Sequence, residues 1–190
     1  MMQVITKDEI DLKPHIFIKD FLQGKLAVYP TDTIYGLGAI ATDNRAVKKI
    51  RDIKKNNLPF SVMVPGIDWI RENCHVNEEA EEWIKKLPGP FTLILKLKKK
   101  TDISGYVNNG LETIGVRIPN HWMQRIVREI GAPIVSTAAT GPDGSLIEMP
   151  EDVDSRHKKH IQYFISERLM LRKPSIVIDL TKEIASIVRK

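Results

Sequence analysis

Helix-type and strand-type apolar patterns alternate along this chain, and that alternation restricts the fold more than any other feature of the sequence. Apolar residues recur at helical spacing in 14–24, 43–54, 77–87 and 120–131. Short apolar or alternating runs typical of strands occupy 26–30, 36–42, 60–64, 91–97, 113–119, 133–137, 175–180 and 185–188. Because no linker or repeat separates them, we predict one α/β domain over residues 1–190, a sandwich or twisted open sheet with helices packed around it.

The segment 138–174 is the least regular part of the chain. It contains GPDGS (141–145), which is rich in turn-forming residues, and the charge run RHKKH (156–160). We therefore predict a mobile surface loop in this segment.

The charge balance favours anionic ligands. The chain has 29 Lys and Arg against 24 Asp and Glu, a formal net charge of +5 and a pI ≈ 9.2. Cys74 is the only cysteine, so no intrachain disulfide can form, which fits a reducing compartment. The N-terminal stretch lacks a signal-peptide pattern, and no run approaches the ~18 apolar residues of a membrane span. We expect a soluble cytoplasmic protein without membrane association.

Common metal and phosphate motifs are absent from the sequence. There is no HExxH, and the pair His157 and His160 is more typical of a solvated basic patch than of a metal site. GLG at 36–38 is not GxGxxG, and no Walker-type GxxxxGK[ST] occurs. We predict no metal site, and phosphate binding would have to use scattered cations and backbone N–H groups.

Polar residues interrupt the apolar pattern in YPTDTIYGLG (29–38). Thr31, Asp32 and Thr33 have two interpretations. Their side chains could bond neighbouring backbone groups in a turn, or they could hold a small zwitterion or carboxylate at the end of a strand. Tyr35 could belong to the core or to a pocket wall.

Three cations are candidates for binding an anion. Lys54 and Lys55 end the helix over 43–54, where they could be solvated or could reach toward the next strand. Arg117 is the stronger candidate, because a guanidinium within an apolar strand is costly unless it meets an anion or other acceptors.

Several of these segments, taken in order, resemble the YrdC-like family of threonylcarbamoyl-AMP synthases. They are YPTDTIYGLG (29–38), a Lys-rich helix end before PFSVMV (59–64), LPGPFTLILK (87–96), TIGVRIP (113–119), PIVSTAAT (133–140) and PSIVIDLT (174–181). The resemblance covers about residues 14–189.

The resemblance implies a fold and an activity. The fold is a twisted, largely open α/β sheet that encloses a basic cleft. The reaction joins L-threonine, bicarbonate and ATP, with Mg²⁺, to give threonylcarbamoyl-AMP and pyrophosphate. A partner enzyme, a threonylcarbamoyl transferase, then modifies the adenosine beside the tRNA anticodon.

The resemblance also implies roles for individual residues. It assigns a threonine pocket to Thr31, Thr33 and Tyr35. It assigns catalytic roles to Lys54, the counterpart of the family's Lys-x-Arg lysine, and to Arg117. It assigns nucleotide contacts to Lys54, Lys55, Thr137, Thr140, Ser175 and Arg189.

The sequence departs from the family pattern on the nucleotide side. Lys54-Lys55-Asn56 stands in place of Lys-x-Arg, and the run to Pro59 is about two residues short. Thr137-Ala138-Ala139-Thr140 replaces Thr-Ser-Ala-Asn, Pro174-Ser175-Ile176 replaces Pro-Ser-Thr, and Met63 stands where synthases sometimes have histidine. These features resemble the YciO-like branch, which shares the fold.

Binding of double-stranded RNA in the same cleft is an alternative function of a different class. The cations that would contact phosphates are Lys48, Lys49, Arg51, Lys54, Lys55, Lys96, Lys98, Lys99, Lys100 and the run 156–160. Solvated lysines on an enzyme surface explain the same pattern equally well.

Overall fold

The strands that form the sheet come mostly from the short apolar runs. A computed structural model describes residues 1–98, 101–167 and 173–189. The strands are β1 (Gln3–Ile5), β2 (Leu26–Tyr29), β3 (Gly36–Gly38), β4 (Ser61–Met63), β5 (Cys74–His75), β6 (Phe91–Leu97), β7 (Thr113–Arg117), β8 (Ile134–Ala138), β9 (Ile161–Ile165), β10 (Ile176–Asp179) and β11 (Ser186–Arg189). Across the described ranges they join in the order β1-β9-β2-β3-β8-β4-β7-β6-β10-β11, with β5 paired to β6.

The sheet is mixed, and β8 joins its two halves. The C-terminal end of β8 pairs antiparallel with β3, with Thr137 opposite Leu37. Its N-terminal end pairs antiparallel with β4, with Ser136 opposite Ser61. The β4 strand in turn runs parallel to β7. Side chains from β3, β4, β7 and β8 are thereby brought to one region of the sheet.

The helices pack against this sheet through their apolar faces. They are α1 (Lys7–Leu12), α2 (Pro14–Leu22), α3 (Asn44–Lys54), α4 (Ile67–Asn73), α5 (Glu78–Ile84), α6 (Gly105–Asn108), α7 (Met123–Ile130) and α8 (Ser155–Lys158). The carboxylate of Asp43 caps α3 by accepting from the backbone N–H of Arg45 and Ala46 at 2.7 and 3.2 Å. None of the helices in the described ranges combines the length and the apolar character needed to cross a membrane.

The predicted fold class, a single α/β domain with a twisted open sheet, is confirmed. Some elements were not predicted. β9 lies inside 138–174 and pairs with β1 and β2, so the prediction of a loop throughout that segment was wrong. α7 begins at Met123 rather than directly after Asn120, and the backbone N–H of Asn120 donates to Asp32. Residues 168–172 of the predicted loop lie outside the described residues.

Two apolar layers cover the two faces of the sheet, and β2 contributes to both. Val28 belongs to one buried cluster and Tyr29 to the other, as expected from the alternation of side chains along a strand. The Tyr29 hydroxyl donates to the carbonyl of Val135 at 2.6 Å, directly beside Gly38. A Cβ at Gly38 would lie 2.0 Å from that carbonyl oxygen and 2.8 Å from the Tyr29 ring. The β2–β3–β8 packing therefore requires glycine at this position.

Substituting Gly38 with alanine should strongly destabilise the fold. The added methyl group meets a backbone carbonyl that is fixed in the sheet, so we expect a loss of about 3 kcal/mol or more in the free energy of unfolding. Urea denaturation measures the change. Gly105→Ala is the matched control, since a Cβ there meets nothing within 4 Å. Equal stability of the two variants would show that this part of the sheet adjusts freely.

Candidate functional site

A cavity opens where β3, β8 and β4 meet, beside the end of β7. Its volume is about 250 Å³, and we call it the first cavity. Six of the residues predicted for the site line it: Tyr35, Lys54, Arg117, Thr137, Ser175 and Arg189. The fold thus gathers side chains that are far apart in the sequence around one small volume.

Arg117 is the last residue of β7, and its buried charge is paired. Its Nη2 donates to Oδ1 of Asp32 at 2.7 Å and to Oγ1 of Thr33 at 3.2 Å. The second oxygen of Asp32 accepts from the backbone N–H of Asn120 at 2.9 Å. Burial lowers the pKa of Arg117 and Asp32 opposes that effect, but a guanidinium stays charged at neutral pH. Nε of Arg117 has no partner among the described residues, so the group retains donor capacity.

Thr31 and Thr33 lie behind Arg117 and do not line the first cavity. The hydroxyl of Thr31 donates to the carbonyl of Ile34 at 2.7 Å and accepts from the backbone N–H of Thr33 at 3.2 Å. The two hydroxyls are 3.0 Å apart. Of the two interpretations of this turn, the geometry favours the structural one for both hydroxyls, because they hold the backbone that positions Asp32.

Tyr35 forms a wall of the cavity and anchors a distant segment. Its hydroxyl donates to the carbonyl of Glu167 at 2.7 Å and accepts from the Glu167 N–H at 2.8 Å. The Glu167 carboxylate accepts from Nε1 of Trp122 at 2.5 Å and lies 3.4 Å from Nε2 of His121. Burial raises the pKa of Tyr35, so the phenol stays neutral and contributes ring surface.

Lys54 reaches from the end of α3 across to β8. Its Nζ donates to the carbonyl of Ala138 at 2.8 Å and to Oγ1 of Thr140 at 2.7 Å. An ammonium has three N–H donors, so one is left for a ligand. Burial lowers the pKa of Lys54, because no carboxylate compensates the loss of hydration. An anion in the cavity would supply that compensation.

Ser175 and Arg189 form the opposite wall. The hydroxyls of Ser175 and Thr92 are 2.7 Å apart. Nη2 of Arg189 donates to the carbonyl of Ser175 at 3.0 Å and lies 3.3 Å from its hydroxyl. These contacts orient the guanidinium, which still has donors available for a ligand.

Several residues of the first cavity were not predicted from the sequence. They include Asn56, Phe60, Ser61, Ser136 and Pro174. The hydroxyl of Ser61 donates to the carbonyl of Ser136 at 2.7 Å. The signal in the sequence is a serine within each of two otherwise apolar strands. Met63 is fully buried in the apolar cluster that contains Tyr29 and does not line this cavity.

Arg51 does not supply the arginine that the family motif would place here. Its guanidinium lies 3.5 Å from the ring centroid of Phe60 and donates to the carbonyls of Leu58, Tyr106 and Val107. It therefore fixes the loop after α3. Asn56 lines the cavity where the family has that arginine.

A second cavity of about 200 Å³ lies on the other side of Lys54. The predicted residues Lys55 and Thr140 line this cavity and not the first one, while Lys54 lines both. Asp154, Arg156 and His157 complete its polar rim. The predicted nucleotide contacts are thus divided between two adjoining volumes.

Part of the charge considered for RNA binding is engaged within the chain. Lys48 lies 3.7 Å from Asp52, and Nζ of Lys98 donates to the carbonyl of Arg71 at 2.6 Å. Lys99 and Lys100 lie outside the described residues. RNA binding stays a prediction. In the described part of the chain, no group of three or more His, Cys, Asp or Glu side chains is arranged to hold a metal ion.

The fold and the first cavity define a small α/β protein with a cleft lined by the basic side chains of Lys54, Arg117 and Arg189. The family model named for Sua5, YciO and YrdC, described as telomere recombination, matches residues 19–190. The chain belongs to this family.

Relatives carry two kinds of name. A Methanocaldococcus jannaschii protein named "Putative threonylcarbamoyl-AMP synthase" is 34% identical over 167 residues, 85% of this chain and 77% of that protein. The Escherichia coli protein YciO, named as uncharacterized, is 31% identical over 175 residues, 88% of this chain and 84% of that protein.

Solved structures of both kinds of relative share the fold of this chain. P. abyssi Sua5 complexed with L-threonine matches with a TM-score of 0.84 at 27% identity, over all of this chain. This chain spans only 57% of the length of that protein. E. coli YciO matches with a TM-score of 0.83 at 26% identity, over all of this chain and 96% of that one.

Removing the carboxylate of Asp32 should destabilise the fold. Asp32→Ala leaves the buried charge of Arg117 unpaired, which costs about 3 to 5 kcal/mol in the free energy of unfolding. The double variant Asp32→Ala/Arg117→Met should recover part of that loss. Urea denaturation measures both.

Glu82→Ala is the control for the Asp32 prediction, because Glu82 pairs with Lys85 on the surface at 2.6 Å. We expect it to change stability by less than about 1 kcal/mol. If Asp32→Ala lowered the free energy of unfolding as little as this control does, the ion pair would not stabilise the turn.

Proposed function

We propose that this chain forms threonylcarbamoyl-adenylate from L-threonine, bicarbonate and ATP, for the modification of tRNA in the cytoplasm. The observation that carries the proposal is the first cavity, in which Tyr35, Lys54 and Arg117 meet from three separate elements. The L-threonine complex of P. abyssi Sua5, whose fold this chain matches over its whole length, supports the assignment.

The chemistry requires positioning and charge neutralisation more than a protein nucleophile. The amine of threonine attacks the carbon of carbon dioxide and loses a proton, giving a carbamate; attack on bicarbonate gives the same carbamate with the release of water. A carbamate oxygen then attacks the α-phosphorus of ATP, and the bond from that phosphorus to the bridging oxygen breaks, releasing pyrophosphate. Every reacting group is anionic at the second step, so nearby cations lower the barrier.

Residues of the first cavity supply those cations from two sides. Arg117 has donor capacity beyond its pair with Asp32, and it lies beside the ring of Tyr35 on the wall where threonine would bind. Lys54 has one free N–H donor and lies at the boundary with the second cavity, where the phosphates would pass. Mg²⁺ would enter as the ATP complex, held by the phosphates themselves.

Loss of the Lys54 ammonium should slow the reaction. For Lys54→Ala we expect adenylate formation to fall by a factor of about ten to several hundred, the cost of one charge-assisted contact. Mass spectrometry of the products from ATP, threonine and labelled bicarbonate measures the rate. Lys49→Ala, an exposed lysine of the same helix, should leave it unchanged.

The same assay decides against the proposal if no adduct forms at high enzyme concentration while ATP still binds. The chain would then fit the alternative, a YciO-like paralogue without synthase activity that binds a nucleotide or double-stranded RNA in this cleft. A downstream threonylcarbamoyl transferase would have no role in that case.

Restoring the family arginine should strengthen ATP binding. Asn56 lines the first cavity, so Asn56→Arg places a guanidinium where phosphate charge would lie, and we expect about a tenfold lower KM for ATP. Steady-state kinetics measure it. Asn57→Arg adds the same charge at the neighbouring exposed position and should have little effect. An equal gain from both variants would attribute the effect to net charge alone.

A further inference from the structure

Cations from two distant segments converge on the second cavity. Lys55 comes from the end of α3, whereas Arg156 and His157 come from α8, which precedes β9. Asp154 is the one carboxylate that the described residues contribute to the lining, and it pairs with Arg156 at 2.5 Å while capping α8. With Lys54, the lining carries three permanent positive charges against one negative charge.

The positive charge around the second cavity affects the pKa of His157. Burial lowers the pKa of His157, and the cations Arg156 and Lys55 lower it further, together with His160. Asp154 acts in the opposite direction. His157 of α8 and Lys55 at the end of α3 both line the second cavity. An anion bound there would relieve the repulsion.

The backbone at Lys55 is strained in a way that another residue would avoid. Lys55 ends α3 with φ 50° and ψ 31°, in the left-handed region that favours glycine or asparagine at a helix end. Holding a lysine in that region strains the backbone, and such strain clusters at functional sites. This conformation places the Lys55 side chain in the lining of the second cavity.

The second cavity continues from the first one. Lys54 lines both, and its bonds to Ala138 and Thr140 mark the boundary. The floor beyond that boundary is apolar and includes Val28, Leu37, Ile147 and Ile161. Such walls lower the local dielectric and strengthen the attraction between the rim cations and an anion. An extended anionic ligand in the first cavity would reach this rim.

We propose that the second cavity is a polyphosphate subsite, in which Lys55, Arg156 and His157 take the β- and γ-phosphates of a nucleoside triphosphate and the pyrophosphate that leaves. The inference rests on the proposed function in that ATP lies across both cavities. Asn56 lacks the positive charge of the family arginine. In this proposal Lys55 and α8 supply that charge from the other side of Lys54.

Binding measurements with pyrophosphate, AMP and ATP on the intact protein test the subsite. We expect ATP and pyrophosphate to bind about tenfold more weakly to Lys55→Gly and to Arg156→Gln than to wild type, with AMP binding unchanged. Lys55→Gly should also unfold at the same or a higher temperature, since glycine relieves the backbone strain. Weaker binding by a protein that is no less stable cannot be attributed to misfolding. Lys49→Ala is the control on the same helix.

Proton NMR of the histidine rings gives a second readout. Pyrophosphate should raise the pKa of His157, while His15, in α2 away from the cavity, should not respond. The proposal is overturned if pyrophosphate binds equally to wild type, Lys55→Gly and Arg156→Gln, or if it leaves His157 unchanged.

The outcomes for the subsite and for the proposed function are separable. Pyrophosphate binding that depends on Lys55, without adenylate formation, supports the subsite and counts against the synthase. Adenylate formation with an unaltered KM for ATP in Lys55→Gly supports the synthase and counts against the subsite.

Discussion

The buried ion pair between Arg117 and Asp32 is the interaction on which the first cavity depends. It connects the end of β7 to the turn between β2 and β3, and Asp32 also binds the backbone before α7. An unpaired guanidinium at this depth would be strongly unfavourable. The turn and the strand therefore stabilise each other, and these internal contacts hold the wall of the cavity in place. Preorganisation of this kind lowers the cost of binding an anion beside it.

Sequence patterns predicted the architecture because burial on a sheet requires apolar residues at regular spacing. The central strands are apolar runs between turn residues, and α3 and α5 have both a cap and an apolar face. β9 was missed because its five residues follow a charge run within a segment rich in turn formers. Its strand identity comes from pairing with β1 and β2, which are distant in sequence, and no local pattern contains that information.

The candidate site was only partly predictable for a related reason. A threonine hydroxyl can bond to its own turn or bind a ligand, and both roles need the same residue type. The motif therefore could not distinguish the two roles for Thr31 and Thr33. Helical spacing alone does not locate the guanidinium of Arg51, whose long side chain folds back onto Phe60 and the loop carbonyls. Only tertiary contacts decide where such a side chain ends.

The departures from the family pattern fall unequally on the two halves of the cleft. On the side proposed to hold threonine, the turn, Arg117 and Tyr35 match the family motif and are fixed by internal bonds. On the phosphate side, the family arginine is replaced by Asn56, while Lys55 is held in a strained conformation and lines the second cavity with Arg156 and His157.

Phosphate binding depends mainly on total charge at close range, so cations from another direction can replace one lost contact. Recognition of threonine depends on a fixed shape and tolerates no such exchange. The half of the cleft proposed to select the amino acid is therefore the half whose turn and Arg117 match the family motif, and the loss of the family arginine falls in the half where different arrangements of cations are equivalent.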